Sequence, residues 1–154
     1  MNKRKKGLFL MVFGGLLLVG ALVGNTLSDK SGKTAEGNVR LSDVVLETKL
    51  PIKSSDFSLP FEIEGKARGT MFFEGSFPVF VIDDSGTILY RGLAQAQGEW
   101  MTEDYVSFVA ELSASEEIAE DFVPTPPVVL VLEKDNPSGL PELSGRIKIP
   151  FLKF

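Results

Sequence analysis

The 154-residue sequence contains no cysteine and no histidine. Without cysteine, no disulfide can staple the fold. Without either residue, Ser–His and Cys–His nucleophile pairs are excluded, and so is a standard zinc site. Carboxylates, Lys, Arg, Tyr and hydroxyls are what is left for chemistry. Acidic residues are missing from the first 28 positions, and all 21 of them follow. Four of the 16 basic residues, by contrast, are Lys3-Arg4-Lys5-Lys6. From Asn25 onward the balance is 12 basic minus 21 acidic, or −9, against −5 for the whole chain. Such a domain repels nucleic acid and anionic lipid headgroups, and its acidity also keeps it soluble.

Leu8 to Gly24, LFLMVFGGLLLVGALVG, is 17 uncharged and nearly all apolar residues. That is the short end of what spans a bilayer as a helix. The basic cluster before it and the acidic chain after it predict an N-terminus inside and a domain outside. The sequence therefore divides into a cytoplasmic basic n-region at 1–6, a transmembrane signal anchor at 7–24, a flexible tether at 25–42 and a folded domain at 43–154. A cleavable signal peptide has a similar shape, and Val19-Gly20-Ala21 offers small residues for cleavage. A single-pass membrane protein is the leading reading, and a secreted form freed by cleavage is the alternative. Without cysteine there is no lipoprotein anchor. Gly20 and Gly24 have the GxxxG spacing that lets membrane helices pair, although glycine is common in such segments anyway.

Asn25 to Ser42 is rich in Ser, Gly and charged residues and holds few large apolar ones, the composition of a tether. Past Asp43, short apolar runs alternate with turn residues. Strands are expected at 44–50, 59–67, 77–82, 87–97, 105–112, 127–133 and 145–151. Asp84-Ser85-Gly86 is expected to close a hairpin. About seven short strands with frequent turns predict an all-β antiparallel sandwich. Ala114, Ile118 and Phe122 recur every four residues, with Ser115 ahead of Glu116 and Glu117, which reads as one capped helical turn.

GKARGTMFFEGSFPVFVIDDSG at 65–86 resembles the immunoglobulin-like domain of bacterial spore germination proteins, the second of the germination-associated Gmad types. AQAQGEWMTEDYVSF at 94–108 and LEKDNPSGLPE at 132–142 are similar to it as well, as are the opening strand with Pro51 and the closing IKIPF. The resemblance covers about 44–151. It implies an extracytoplasmic immunoglobulin-like β-sandwich, joined to other envelope domains or to a membrane anchor. It implies no catalytic activity and no cofactor. The stretch Ser113 to Pro127 is longer and more acidic than the resemblance leads one to expect and reads as an insertion.

Two stretches are candidate binding surfaces. In RGTMFFEG, Phe72 and Phe73 are neighbours, so on a strand they face opposite ways and one core cannot hold both. One ring is expected to cap the core and the other to lie on the surface beside Arg68 and Glu74. Glu74 is expected to hold the loop by accepting backbone N–H groups. In GEWMTEDY, Trp100 reads first as a packing residue at a strand end and Met101 as a gap filler. The alternative there is a platform on which Trp100 and Tyr105 supply rings and Glu99 a hydrogen bond. The expected partners are the membrane, through the N-terminal segment, and a cell-wall polymer or an envelope protein. Two weaker readings remain. Asp83, Asp84, Glu133, Asp135 and Asn136 are hard oxygen ligands for calcium, but without the Asp-x-Asp-x-Asp-Gly spacing. Glu74 and Glu99 are the pair a glycoside hydrolase would need, but nothing in the sequence shows that they approach.

Overall fold

Strict alternation of apolar and polar residues fixes which face of each strand turns inward. Phe61–Arg68 and Tyr105–Ala114 carry that pattern, and both bury every second residue. The computed structural model describes residues 26–119 and 122–152, and nine strands run through them. They are β1 (Leu27–Ser28), β2 (Thr34–Gly37), β3 (Val44–Leu46), β4 (Phe61–Arg68), β5 (Ser76–Asp83), β6 (Ile88–Ala96), β7 (Tyr105–Ala114), β8 (Val128–Glu133) and β9 (Gly145–Phe151). Every neighbouring pair is antiparallel, in the order β1-β2-β9-β8-β5-β6-β7-β4-β3. The seven strands expected from the sequence are β3 to β9.

β6 pairs with β5 on one side and β7 on the other. Phe77 of β5 pairs with Ala94 and Phe108 of β7 with Ala96, so small side chains on β6 let the two rings meet across it. Phe77 of β5 and Phe108 of β7 stack edge-on, 5.1 Å between centroids. One core results, with Ile63, Phe77, Val79, Val81, Leu112, Leu130, Leu132 and Ile147 fully enclosed. Both edges of the sheet are short, two residues in β1 and three in β3, which leaves little unpaired backbone for edge-to-edge association.

The flexible tether expected at 25–42 is corrected. β2 pairs with β9 over four residues, from Thr34↔Lys148 to Gly37↔Gly145, and Lys148 Nζ donates to Glu36 Oε1 at 2.8 Å. Ala35 and Val39 are buried in the core. The segment is polar because it covers the outer edge of β9 and turns few side chains inward.

The helical turn expected around Ser115 is also corrected. The Ile118 N–H donates to Ser115 O, which closes an isolated turn. The Ser115 hydroxyl donates to Ile88 O at 2.9 Å, so it does not cap a helix. Farther along, Tyr90 Oη donates to Phe122 O at 2.5 Å and Ser54 Oγ to Pro124 O at 2.8 Å. These bonds fasten the acidic connection to Tyr90 of β6 and to Ser54 in the turn before β4. The expected n-region, the expected membrane anchor at 7–24 and the Gly20–Gly24 pair lie outside the described residues. Among the described residues, no helix is long and apolar enough to cross a membrane.

Candidate binding surface

Successive connections of an antiparallel sheet alternate between its two ends. The β4–β5, β6–β7 and β8–β9 connections therefore share one end, and they contain RGTMFFEG, GEWMTEDY and KDNPSGLPE. Hydrogen bonds join them: the Gly69 N–H donates to Asp104 O at 3.0 Å and the Asp135 N–H to Met71 O at 3.1 Å.

The neighbouring phenylalanines separate as the pleat requires. A single 3-10 turn at Gly69–Met71 bends the chain after β4. Phe72 then turns inward, 6% exposed, and meets Phe77 edge-on at 5.0 Å. Phe73 turns outward and is 40% exposed. Phe72 is thereby corrected as a surface candidate, because its ring is part of the core. Glu74 and Gly75 follow with φ of 50° and 78°. Positive φ at both central positions is the signature of a type I′ turn. The loop is closed by main-chain bonds, Phe73 N–H to Ser76 O at 2.9 Å and Ser76 N–H to Phe73 O at 3.1 Å. The expectation that the Glu74 carboxylate holds it is corrected, since the exposed side chain extends from a turn that the backbone closes by itself.

GEWMTEDY packs on RGTMFFEG. Trp100 is half-buried and lies over Gly75, where a Cβ would sit 3.5 Å from the indole Cδ1 and Nε1. Gly69 sits directly under the Trp100–Thr102 backbone. A Cβ on Gly69 would fall 1.9 Å from Thr102 O and 2.4 Å from Trp100 O, so only glycine fits. The Glu99 carboxylate accepts the Met101 N–H at 3.0 Å and fixes its own loop. Met101 is 74% exposed, which corrects the gap-filler reading. Arg68 and Tyr105 are register partners of β4 and β7. The guanidinium carbon lies 4.0 Å from the Tyr105 ring centroid, and Nη1 donates to Glu103 O at 3.2 Å. The Tyr105 hydroxyl donates to Ser42 O and so ties the segment before β3 to the same cluster.

Arg68, Phe73, Glu74, Glu99, Trp100 and Tyr105 thus share one end of the sheet, with Phe72 beneath them. The cluster combines rings, a cation and carboxylates, chemistry suited to recognition. Sequence reasoning missed Thr70 and Lys134, which line a groove of about 440 Å³ with Leu27, Asn38, Arg40 and Asp43. No periodicity marks that groove, because it forms only when β2 docks on β9.

The calcium reading is corrected. Asp83 is register partner of Val128 at the start of β8, whereas Glu133 closes that strand at the other end. Five residues of strand, about 17 Å, keep the two loops apart. Asp83 Oδ1 is occupied by Ser85 Oγ and by the Ser85 and Thr87 N–H groups. These bonds, the Ser85 hydroxyl first, hold its carboxyl below the usual value of 3.8. Among the described residues, no group of three or more acidic side chains is placed to hold a metal ion.

A family model described as the immunoglobulin-like domain of bacterial spore germination matches residues 46–123, about half of the chain. The match includes RGTMFFEG and GEWMTEDY, the two stretches that pack on each other, and ends before β8. No curated protein and no solved structure matches the chain.

Proposed function

The chain belongs to the family of immunoglobulin-like domains of bacterial spore germination, and from that premise we propose a membrane-anchored, extracytoplasmic module with a non-catalytic binding or structural role in the bacterial envelope. The family is one of immunoglobulin-like domains and not of enzymes. The observation that carries the anchor reading is the apolar run at 8–24, with Lys3-Arg4-Lys5-Lys6 before it and the acidic domain after it. A binding role is supported by the cluster at one end of the sheet. There, Phe73 and Met101 are exposed on loops held rigid by Gly69, the type I′ turn and the Arg68–Tyr105 stack.

A cell-wall polymer and an envelope protein are the two partner classes for such a module. The test uses the full chain in detergent, sedimented with purified wall polymer and, separately, cross-linked in native membranes. Pelleting assigns the polymer, and a discrete cross-linked species assigns an envelope protein. Absence of both pelleting and a cross-linked species would overturn the binding role and leave a structural one.

A further inference from the structure

Resting on the anchor proposed above, we infer that the end of the domain bearing Phe73, Trp100 and Met101 lies against the outer surface of the membrane. The pairing of β1 with β2 and of β2 with β9 fixes this placement. A tether of 18 residues would have let the domain turn freely at a distance from the bilayer. Instead β1 begins at Leu27, and only Asn25 and Thr26 separate it from the apolar run that ends at Gly24. Three Cα steps at full extension reach about 11 Å. The domain is therefore held at the membrane surface by its first strand.

Which end is held follows from where Leu27 sits. It lines the groove formed with Thr70, between β4 and β5, and with Lys134, just after β8. The chain thus joins the sheet beside RGTMFFEG. The β1–β2 hairpin points the opposite way, and a Cβ on Gly32 at its tip would lie 3.6 Å from the Pro150 ring. β6, nine residues long, puts the Asp83–Thr87 turn about 30 Å from this end. That turn and the 113–119 stretch face away from the bilayer.

The chemistry of the held end suits a lipid interface. Met101 is 74%, Leu140 48%, Leu143 41% and Phe73 40% exposed, on three different loops. Apolar tips of this kind sit at the boundary of headgroups and acyl chains, and Trp and Tyr favour the headgroup level. Glu99, Glu103 and Asp104 lie in the same loops, so charge does not draw this end to an anionic surface. The short link and the apolar tips hold this end to zwitterionic lipid, which takes the place of a wall polymer as the partner of Phe73 and Met101.

The absence of cysteine makes the test direct, because one introduced thiol is the only one in the chain. The full chain is reconstituted in phosphatidylcholine vesicles whose headgroups carry a short-range energy acceptor, one whose transfer distance is well below the roughly 30 Å between the two ends of the sheet. A donor is attached at Met101→Cys, Leu140→Cys or Asp84→Cys, all exposed positions. Donors at 101 and 140 should lose most of their emission and the donor at 84 should keep it. Equal loss at all three, with the chain floating on the vesicles, would overturn the apposition and leave the anchor standing. Failure to float would overturn both. Emission lost at 101 only in native membranes, and not in pure lipid, would assign this end to a protein partner and overturn the lipid reading.

Discussion

Phe72 and Phe73 are adjacent in sequence, and truncating them should have very different consequences. Phe72 is 6% exposed and packs edge-on against the fully enclosed Phe77, whereas Phe73 is 40% exposed at the rim of a turn. Phe72→Ala removes a buried ring and leaves a cavity that the surrounding strands cannot close, at a cost of about 3–5 kcal/mol. The lost edge-on contact belongs to the upper part of that range, since such pairs contribute roughly 0.5–1.5 kcal/mol. Phe73→Ala gives up only a partial burial and should cost less than about 1 kcal/mol. With a urea slope of about 1.5 kcal/mol/M, Phe72→Ala shifts the unfolding midpoint down by roughly 2–3 M and Phe73→Ala by less than about 0.7 M. Chemical denaturation of the full chain in detergent, followed by the emission of Trp100, measures both. Equal shifts would refute the division of the pair between core and surface. A larger loss for Phe73→Ala would invert it.

Four further outcomes follow from the same geometry. Gly69→Ala drives a Cβ into the carbonyls of Thr102 and Trp100 and should destabilise by about 3 kcal/mol or more, read by the same denaturation. Glu74→Asn should stabilise by up to about 1 kcal/mol, because Asn-Gly suits positive φ where glutamate is strained; a loss would show that the glutamate does something the turn alone does not. Deleting 27–37 should cost about 2–4 kcal/mol by uncovering β9 and removing Ala35, where a tether would cost nothing. Asp83, with its folded pKa held below 3.8, contributes stability that is complete above that value and is lost as pH falls through the lower folded value. Asp83→Asn should abolish that part of the acid dependence, seen by comparing acid unfolding curves.

Strands with clean alternation were legible, and so was the Asp83–Gly86 turn. β1 and β2 were not, for a physical reason. They hold two and four residues and bury a single apolar side chain, Ala35, so no periodicity can show. Yet a signal was present. Asp29-Lys30-Ser31-Gly32-Lys33 repeats the pattern of Asp83-Asp84-Ser85-Gly86-Thr87. In both, the first Asp Oδ1 accepts the Ser N–H, the Ser hydroxyl and the N–H four residues on. Gly32 and Gly86 share φ near 84°, at 83° and 85°. The polar flanks of the first copy hid a hairpin that the apolar flanks of the second made plain.

The four-residue spacing of Ala114, Ile118 and Phe122 misled in the opposite direction. Ile118 packs on the core, but Phe122 is held through its carbonyl by Tyr90 while its ring stays exposed. The candidate surface was legible as two stretches and not as one site. Arg68 meets Tyr105 only through the β4–β7 register, and Gly69 passes under Thr102 only once β4 has bent. Glu74 and Glu99 lie at the same end of the sheet, and Glu99 already accepts a backbone N–H. The Glu74→Gln/Glu99→Gln pair should leave wall polysaccharide untouched to the same degree as the native chain, measured by release of reducing sugars.

Fractionation of cells that make the chain with a C-terminal epitope tests the anchored module most directly. The full-length species should stay with the membranes through carbonate extraction and be digested by protease added to intact protoplasts. A soluble species about 21 residues shorter, the loss expected from signal cleavage, would contradict the anchor and with it the placement of the domain on the membrane.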